Sequence, residues 1–560
     1  MLGARQTRGH APRTGLATFA HRCVSELPAP ASTWLHLMAT ITTTRRLTPA
    51  ELATLRSARN DVVIAERAVD AGGPGEPGRA EFACDDGPFS RYRRRLSWTD
   101  PALGEDEVHA VTEQIEYRIA VPYFGPLFTL LTRRDVRARP DRIPWWSPPT
   151  RIDERSARVL GIGCALAVVV GFLGGLITQT MTFIVADLGG TLTDQTNVLS
   201  LTRIGALATI GVGLLGDRRG RRPLIAVGLL GAAAASLLTA AATSLVWVAV
   251  DQTISRGLVA GAGVLVAVLV LEEMPAAARA YATGLLAMSA GLGVGVVLWV
   301  LKLADLSRGS WRLIYLLSLP FAALTLHAVR RLPESHRFTT VALRPDSVDR
   351  SRISTRRLLI LGLVFVLLNI FVGPAQQLQN EYLRTVRGFS GGRITAFLLL
   401  TNTWGGIGII AGGRAADRRS RRLVASVGLA GLALGNAAMF AGGGWPMWAW
   451  SVVGSILGAA TTPALGVLGP ELFPTARRGT GSGLITVAAV IGSVIGLQSA
   501  GALIDRIGYG WTFLALGAGP MAIIGLLRGL PDTARIELEA LNEDAGSNGA
   551  GTADGYGRSP

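Results

Sequence analysis

Long apolar segments separated by short charged loops run almost without interruption from about residue 158 to residue 530. Each segment has about 20 residues, which is the length that an α-helix needs to cross the hydrocarbon core of a bilayer. Lipid satisfies no backbone hydrogen bonds, so such segments must be helical. The pattern predicts twelve membrane-spanning helices, near residues 158–186, 197–216, 222–243, 245–271, 280–303, 311–329, 358–379, 394–413, 423–442, 446–469, 481–504 and 510–530.

Residues 1–150 do not follow this pattern. They are rich in Arg, Pro, Gly and acidic residues and include the glycine- and proline-rich run 72–78, so we expect a largely disordered cytosolic extension. The apolar stretch 122–128 is too short to span a membrane. Together with Trp145 and Trp146 it is expected to lie among the lipid headgroups, and a small cytosolic cap is the alternative.

Composition agrees with a membrane protein, because 49% of the residues are hydrophobic, only 17% are charged, and the mean hydropathy is +0.38. The net charge of +16 would suit a nucleic-acid-binding protein, but the arginines lie in short loops between apolar segments. Loops after the second and eighth segments are rich in arginine, whereas those after the first, third and ninth have none. Both termini and the linker 331–357 are therefore expected to be cytosolic, in a multi-pass protein of the cell membrane without nucleic-acid partners.

A cluster of charged and glycine residues occurs twice, about 200 residues apart. The repeated residues are Gly213, Asp217, Arg218, Gly220, Arg221, Glu272 and Arg279 in the first copy, and Asp417, Arg418, Arg421, Glu471 and Arg478 in the second. Duplication of a half-protein explains this register. We therefore expect two pseudo-symmetric six-helix bundles, at 151–330 and 358–530, followed by a cytosolic tail at 531–560.

The motif Gly-x3-Asp-Arg-x-Gly-Arg-Arg that begins at Gly213 resembles the signature loop of the major facilitator superfamily. Glu-x2-Pro-x3-Arg from Glu272 resembles the sugar-porter and metabolite-porter branches of that family. The resemblance covers roughly residues 155–540, and the second copy departs from it with Ser420 in place of Gly220. It implies an all-α integral membrane protein with twelve transmembrane helices in two bundles, which transports a solute by alternating access.

The charged repeats are expected to act as a latch on the cytosolic side. A carboxylate such as Asp217 can sit against the positive N-terminal end of a facing helix, and Glu272 and Glu471 can pair with the arginine clusters. These contacts would break whenever the two halves rock open. The alternative is that the arginines only determine topology.

Polar side chains within the spans are the candidates for solute binding. Gln179 aligns with Gln379 at the repeat offset, and amides suit hydroxylated ligands because they both donate and accept hydrogen bonds. Hydrogen bonding between helices is the alternative role for these amides. The amide candidates are Gln179, Gln376, Gln377, Gln379, Asn380 and Asn402.

Arg203 and Arg256 complete the set of candidates, because a buried guanidinium can clamp a carboxylate or a phosphate. Asp187, Asp194 and Asp251 are expected at a similar depth and could neutralise the arginines instead. Pairing of Arg256 with Asp251, five residues away, is the favoured reading, and Arg203 is the better candidate for contact with the solute.

We therefore expect a monomeric secondary transporter, a symporter of a sugar-like or organic-acid-like metabolite, with the bilayer, the solute and a coupling proton as its partners. The first span has no acid before Asp187 to carry that proton. Proton-driven efflux of amphipathic compounds and a transport-inactive receptor or scaffold are the alternatives. An enzyme is not expected, because no nucleophile–base pair, metal-ligand cluster or nucleotide-binding loop is visible, and no cofactor is implied.

Overall fold

The computed structural model describes residues 38–61, 63–70, 78–99, 108–138, 148, 150–275, 278–333, 355–418, 420–471 and 478–528. The chain divides into two compact units, 1–140 and 141–560, and each is described by itself.

The N-terminal unit is a five-stranded antiparallel sheet with two helices, and the strand order is β1-β5-β4-β3-β2. A capping box between Thr48 and Glu51 starts the first helix. The second helix lies against β5 and β1. The elements are β1 (Ala39–Leu47), α1 (Pro49–Leu55), β2 (Ala65–Asp70), β3 (Arg79–Asp86), β4 (Phe89–Thr99), β5 (His109–Ile119) and α2 (Gly125–Ala138).

The expectation of a largely disordered extension is therefore wrong for the described residues between 38 and 138. Strands β4 and β5 do alternate between buried and exposed positions, as a half-buried sheet requires. Charged residues such as Arg94 and Glu113 occupy some of the buried positions and hide the alternation from an apolar pattern search. The apolar stretch 122–128 leads into α2, while Trp145 and Trp146 lie outside the described residues.

The second unit is helical throughout. Its helices are α3 (Glu154–Leu188), α4 (Leu192–Gly205), α5 (Ala208–Arg219), α6 (Arg221–Thr239), α7 (Leu245–Glu273), α8 (Arg279–Val300), α9 (Trp311–Leu316), α10 (Ser318–Arg331), α11 (Thr355–Gln377), α12 (Gly391–Asn402), α13 (Gly405–Arg418), α14 (Arg421–Ala441), α15 (Gly444–Glu471), α16 (Arg478–Leu516) and α17 (Ala518–Leu527). A 3₁₀ segment, Leu301–Asp305, follows α8, and a π-helical turn, Tyr382–Val386, lies between α11 and α12.

Several predicted spans are broken helices. The second predicted span is the pair α4 and α5, and the eighth is the pair α12 and α13. Between the predicted spans 481–504 and 510–530, Gly508 interrupts α16 with φ at +77°, in the left-handed region that favours glycine. Within the described residues, eight helical stretches are long and apolar enough to cross a membrane. The count of twelve spans therefore stays a prediction.

Close packing of helices repeats in the two parts of the bundle. A Cβ atom at Gly171 on α3 would lie 1.9 Å from the carbonyl oxygen of Ala290 on α8. In the second part, a Cβ atom at Gly492 on α16 would lie 2.2 Å from the carbonyl oxygen of Val366 on α11. Glycine is required at both positions because the backbones touch. Predicted spans one and five, and their repeats seven and eleven, therefore pack in the same way.

Candidate solute cavity

A cavity of about 890 Å³ lies inside the helical unit, and residues from both sequence halves, 151–330 and 358–530, line it. This volume is within the range of small-molecule sites. None of the described residues that line the cavity is acidic. Its polar lining is Thr178, Gln179, Arg203, Arg256, Gln376, Gln379, Asn402, Asn436, Ser451, Ser455, Thr461 and Thr462.

Arg203 lies in the last turn of α4 and borders the cavity. With the Gln377 amide oriented so that its oxygen faces the guanidinium, Gln377 Oε1 accepts from Arg203 Nε at 2.8 Å and from Nη2 at 2.7 Å. The amide nitrogen then donates to the Thr178 hydroxyl at 3.2 Å. A neutral amide thus holds Arg203 in place without offsetting its charge.

Arg256 on α7 borders the same cavity, and its Nη1 donates to the carbonyl oxygen of Gly174 at 2.9 Å. The expected pairing of Arg256 with Asp251 is wrong, because these two described residues form no ion pair with each other. Five residues along an α-helix correspond to a rotation of about 140°, so the two side chains point to different sides of α7.

The other acids that could have neutralised these arginines have other roles. Asp187 accepts from Arg312 Nη1 at 2.6 Å and from the indole nitrogen of Trp311 at 3.0 Å. Asp194 caps the start of α4 through the backbone and hydroxyl groups of Thr191. Within the described part of the chain, Arg203 and Arg256 therefore have no carboxylate partner.

The predicted amide residues come together from both halves. Asn380 donates to the side-chain oxygen of Gln179 at 2.8 Å and to its backbone oxygen at 3.0 Å. Gln377 and Asn380 are buried behind the wall, where they support Arg203 and Gln179. Of the predicted amides, those that border the cavity itself are Gln179, Gln376, Gln379 and Asn402.

Sequence reasoning missed several lining residues. Asn436 could have been found, because it is an amide in the middle of an apolar segment. Its Nδ2 donates to Leu432 O at 2.9 Å. The lining hydroxyls gave no signal, since serine and threonine are common in membrane helices, where they bond to their own backbone, as Thr461 does to Gly458 O.

One end of the cavity is closed by contacts between the halves. Gln498 on α16 donates to Asn197 Oδ1 at 2.9 Å and to Ser200 Oγ at 3.1 Å, both on α4. Arg384 and Asp305 form an ion pair of 3.3 Å. All of these groups lie toward the end of the bundle where the α3–α4 loop is found.

The predicted latch residues lie at the opposite end. Arg221 forms an ion pair with Glu272, as expected for an acid facing an arginine cluster, and the pair joins α6 and α7 within the first half. Gly220 separates α5 from α6 with φ at +87°. The side chains of the remaining latch residues, and the surroundings of Gly213, lie outside the described part of the structure. These latch residues are Asp217, Arg218, Arg279, Asp417, Arg418, Arg421, Glu471 and Arg478.

Comparisons with known proteins agree with this architecture. A model of the Major Facilitator Superfamily matches residues 163–410 and 394–543. The glucose transporter GlcP of Staphylococcus epidermidis (strain ATCC 12228 / FDA PCI 1200) is 23% identical over an alignment of 426 residues. The alignment covers 68% of this chain and 95% of that protein.

Two solved structures share the fold. The inward-open xylose transporter XylE from E. coli superposes with a TM-score of 0.58 at 15% identity, covering 69% of this chain and 98% of that one. A D-xylose-proton symporter gives a TM-score of 0.57 at 16% identity, with coverage of 67% and 98%. The chain therefore belongs to the major facilitator superfamily, whose members found here are membrane transporters rather than enzymes.

Proposed function

We propose that the protein is a secondary active transporter that moves a small organic solute by alternating access, through twelve spans arranged as two six-helix halves. The cavity between the halves carries this proposal. Both halves contribute polar groups to its wall, and hydrogen bonds and an ion pair between the halves close one end. Rocking of one half against the other would break those contacts and expose the cavity to the other side.

The two ends of the bundle have different roles in this proposal. The end that carries Gln498 and Asn197 is closed in the structure, and we infer from the arginine bias that this end faces the outside of the cell. The latch residues around Asp217, and the linker 331–357, are then cytosolic. Labelling of Ser347→Cys from outside intact cells would contradict this orientation. Transport at the unmodified rate by a well-expressed Asp217→Asn variant would contradict the latch.

A disulfide across the closed end tests alternating access. A Cβ atom at Gly501 on α16 would lie 3.5 Å from the Cβ of Thr196 on α4, which is within the range that a disulfide requires. In a background with Cys23, Cys84 and Cys164 replaced by Ala, we expect Thr196→Cys with Gly501→Cys to form this bond on oxidation. The bond should abolish uptake into proteoliposomes of D-glucose, D-xylose or D-gluconate, and a reductant should restore it.

A matched pair of cysteines within one half is the control. Ser236 on α6 and Ser255 on α7 have hydroxyl oxygens 3.2 Å apart, and both belong to the first half. Oxidation of Ser236→Cys with Ser255→Cys should leave transport active, because the halves remain free to rock. Undiminished uptake by the oxidised Thr196–Gly501 variant, or the absence of uptake of every one of the three solutes by intact unmodified protein, would contradict the proposal.

We propose that a proton gradient drives transport, because a D-xylose-proton symporter has the same fold. Among the described residues, the cavity wall offers no carboxylate to carry that proton, so the carrier must lie elsewhere or be the solute itself. Solute accumulation that persists after a protonophore collapses the pH gradient would contradict proton coupling.

The helix α2 of the N-terminal unit is the counterpart of the predicted interfacial segment, and we propose that it rests on lipid headgroups. Leu127 and Leu130 are exposed on it, and Arg133, Arg134 and Arg137 follow on exposed positions. Apolar and basic side chains on one short helix suit an anionic membrane surface. Equal hydrogen exchange of α2 in anionic and in neutral lipid nanodiscs would contradict this placement.

A further inference from the structure

We propose that the cavity binds an organic anion, a solute that carries a carboxylate or a phosphate, through the guanidinium groups of Arg203 and Arg256. This inference rests on the proposed transport function and specifies the class of its solute. The inferred solute differs in charge from those of the sugar transporters that this chain resembles, because glucose and xylose, the solutes in their names, carry no charge.

The balance of charge in the cavity is the first argument. Two guanidinium groups border it, and none of the described lining residues is acidic. Arginine remains protonated in proteins, so both charges persist. A neutral solute would leave both uncompensated inside the bundle, whereas an oxyanion between them would offset at least one.

The unused hydrogen-bond donors are the second argument. A guanidinium has five N–H donors and no acceptor. Arg256 uses one of its donors on Gly174 O, and two donor nitrogens of Arg203 meet a single amide oxygen of Gln377. Donors therefore remain at both arginines for the forked contact that carboxylate and phosphate groups accept.

Another arginine of the same bundle shows that carboxylate partners are available elsewhere. Arg312 donates to Asp187 at 2.6 Å, away from the cavity. The absence of such a partner is thus a feature of the cavity arginines and not of the helical unit as a whole. The amides Gln376, Gln379 and Asn402 line the same space and can bind hydroxyl groups of the rest of the solute.

The first test uses matched charged and neutral probes on the purified full-length protein. The pairs are D-gluconate with D-glucose, succinate with succinamide, and glycerol 3-phosphate with glycerol. We expect at least one anion to raise the melting temperature while its neutral partner does not, because a ligand stabilises the state that binds it. Arg203→Gln and Arg256→Gln should each weaken that anion at least tenfold, whereas Arg312→Gln should leave its affinity unchanged.

The second test needs no ligand. Gln377→Glu would place a carboxylate of nearly the same shape 2.7–2.8 Å from two donor nitrogens of Arg203. If the cavity lacks a negative charge, this variant should melt at a higher temperature than the unmodified protein in the absence of solute, and it should lose the stabilisation by anions. Thr178 can still donate its hydroxyl proton to the new carboxylate, so the local hydrogen bonds survive.

Three outcomes would overturn the inference: no anion-specific shift in any pair, an anion shift that survives in both arginine variants, or a Gln377→Glu variant that melts at a lower temperature than the unmodified protein. The transport proposal fails separately. If the oxidised Thr196–Gly501 lock abolishes uptake of a neutral sugar while no anion binds, the transport proposal stands and the anion inference is wrong.

Discussion

Arg94 in the N-terminal unit and Arg203 in the helical unit are both held inside the protein, and their partners differ. Arg94 has no exposed side-chain surface and donates to both oxygens of Glu66, with Nη2 2.6 Å from Oε2. It also donates to the backbone oxygens of Leu55 and Ser57. Arg203 meets only a neutral amide oxygen among the described residues.

The difference shows how the same side chain can be structural in one place and available for binding in another. A buried charge with a complete set of partners stabilises one arrangement of the chain, and losing a partner is costly. When only neutral groups hold a charge at the edge of a cavity, a bound solute can supply the counter-charge. Substitutions at the two sites should therefore have opposite consequences for stability and for ligand binding.

The largest effect is expected at Arg94. Arg94→Met would remove the closest counter-charge of the buried Glu66 carboxylate and leave it only neutral donors, Tyr92 Oη and the backbone nitrogen of Arg59, at hydrogen-bond distance. We expect this loss to cost about 3–5 kcal/mol. Hydrogen exchange of β3, β4 and β5 in the full-length protein should then accelerate strongly. Arg95→Met, one position along the same strand and 45% exposed, is the control and should change little. Equal exchange in the two variants would mean that the Arg94–Glu66 pair is not structural.

An intermediate effect of opposite sign is expected at Arg203. Arg203→Gln removes an uncompensated charge whose placement in the membrane interior costs about 2.5–3.5 kcal/mol, less where the cavity holds water. Without solute, its melting temperature should equal or exceed that of the unmodified protein. Arg312→Gln, which strands Asp187, should instead melt at a lower temperature. A fall for Arg203→Gln as large as that for Arg312→Gln would show that Arg203 has a structural partner.

The same contrast explains which parts of the fold were predictable from sequence. Apolar stretches of about 20 residues allow only one structure in lipid, so the helical character of the region was predictable. Eight stretches among the described residues are long and apolar enough to span a membrane, and the count of twelve stays a prediction. The break between α4 and α5 was missed because it lies inside an apolar run. The break at Gly508, by contrast, lies between the predicted spans 481–504 and 510–530. The sheet of the N-terminal unit was missed because paired charges such as Arg94 and Glu66 occupy its interior.

For the cavity, charged and amide groups inside apolar segments are conspicuous, and Arg203, Arg256, Gln179 and Gln379 were found in this way. Their partners were not predictable, because pairing depends on the direction of each side chain around its helix. Asp251 is near Arg256 in sequence but points to another side of α7, whereas Gly174 comes from a different helix. Sequence distance along one helix is therefore a poor guide to pairing unless the helical phase is considered.

The smallest effect is expected at Asp135 on α2. This residue is a buried carboxylate in the N-terminal unit, and its Oδ2 has no hydrogen-bond partner among the described residues. Burial raises the pKa of Asp135 above its ordinary value, against a smaller opposing effect of Arg134. A raised carboxyl pKa means that the folded unit binds the proton more tightly than the unfolded chain does. The ionised group therefore opposes folding at neutral pH. This penalty begins to shrink as the pH falls through the raised pKa, and it disappears below the ordinary pKa of the carboxyl group.

Asp135→Asn should consequently stabilise the N-terminal unit at neutral pH by up to about 1 kcal/mol, the size typical of a single substitution. The gain should shrink toward zero in acid, because the unmodified side chain is then neutral as well. Hydrogen exchange of β1 and β5, on which α2 packs, can be compared between variant and unmodified protein at matched pH values from 4 to 8. A loss at neutral pH would show that Asp135 has a partner that offsets its charge. A gain that does not depend on pH would show that the stabilisation does not come from removing the ionised carboxylate.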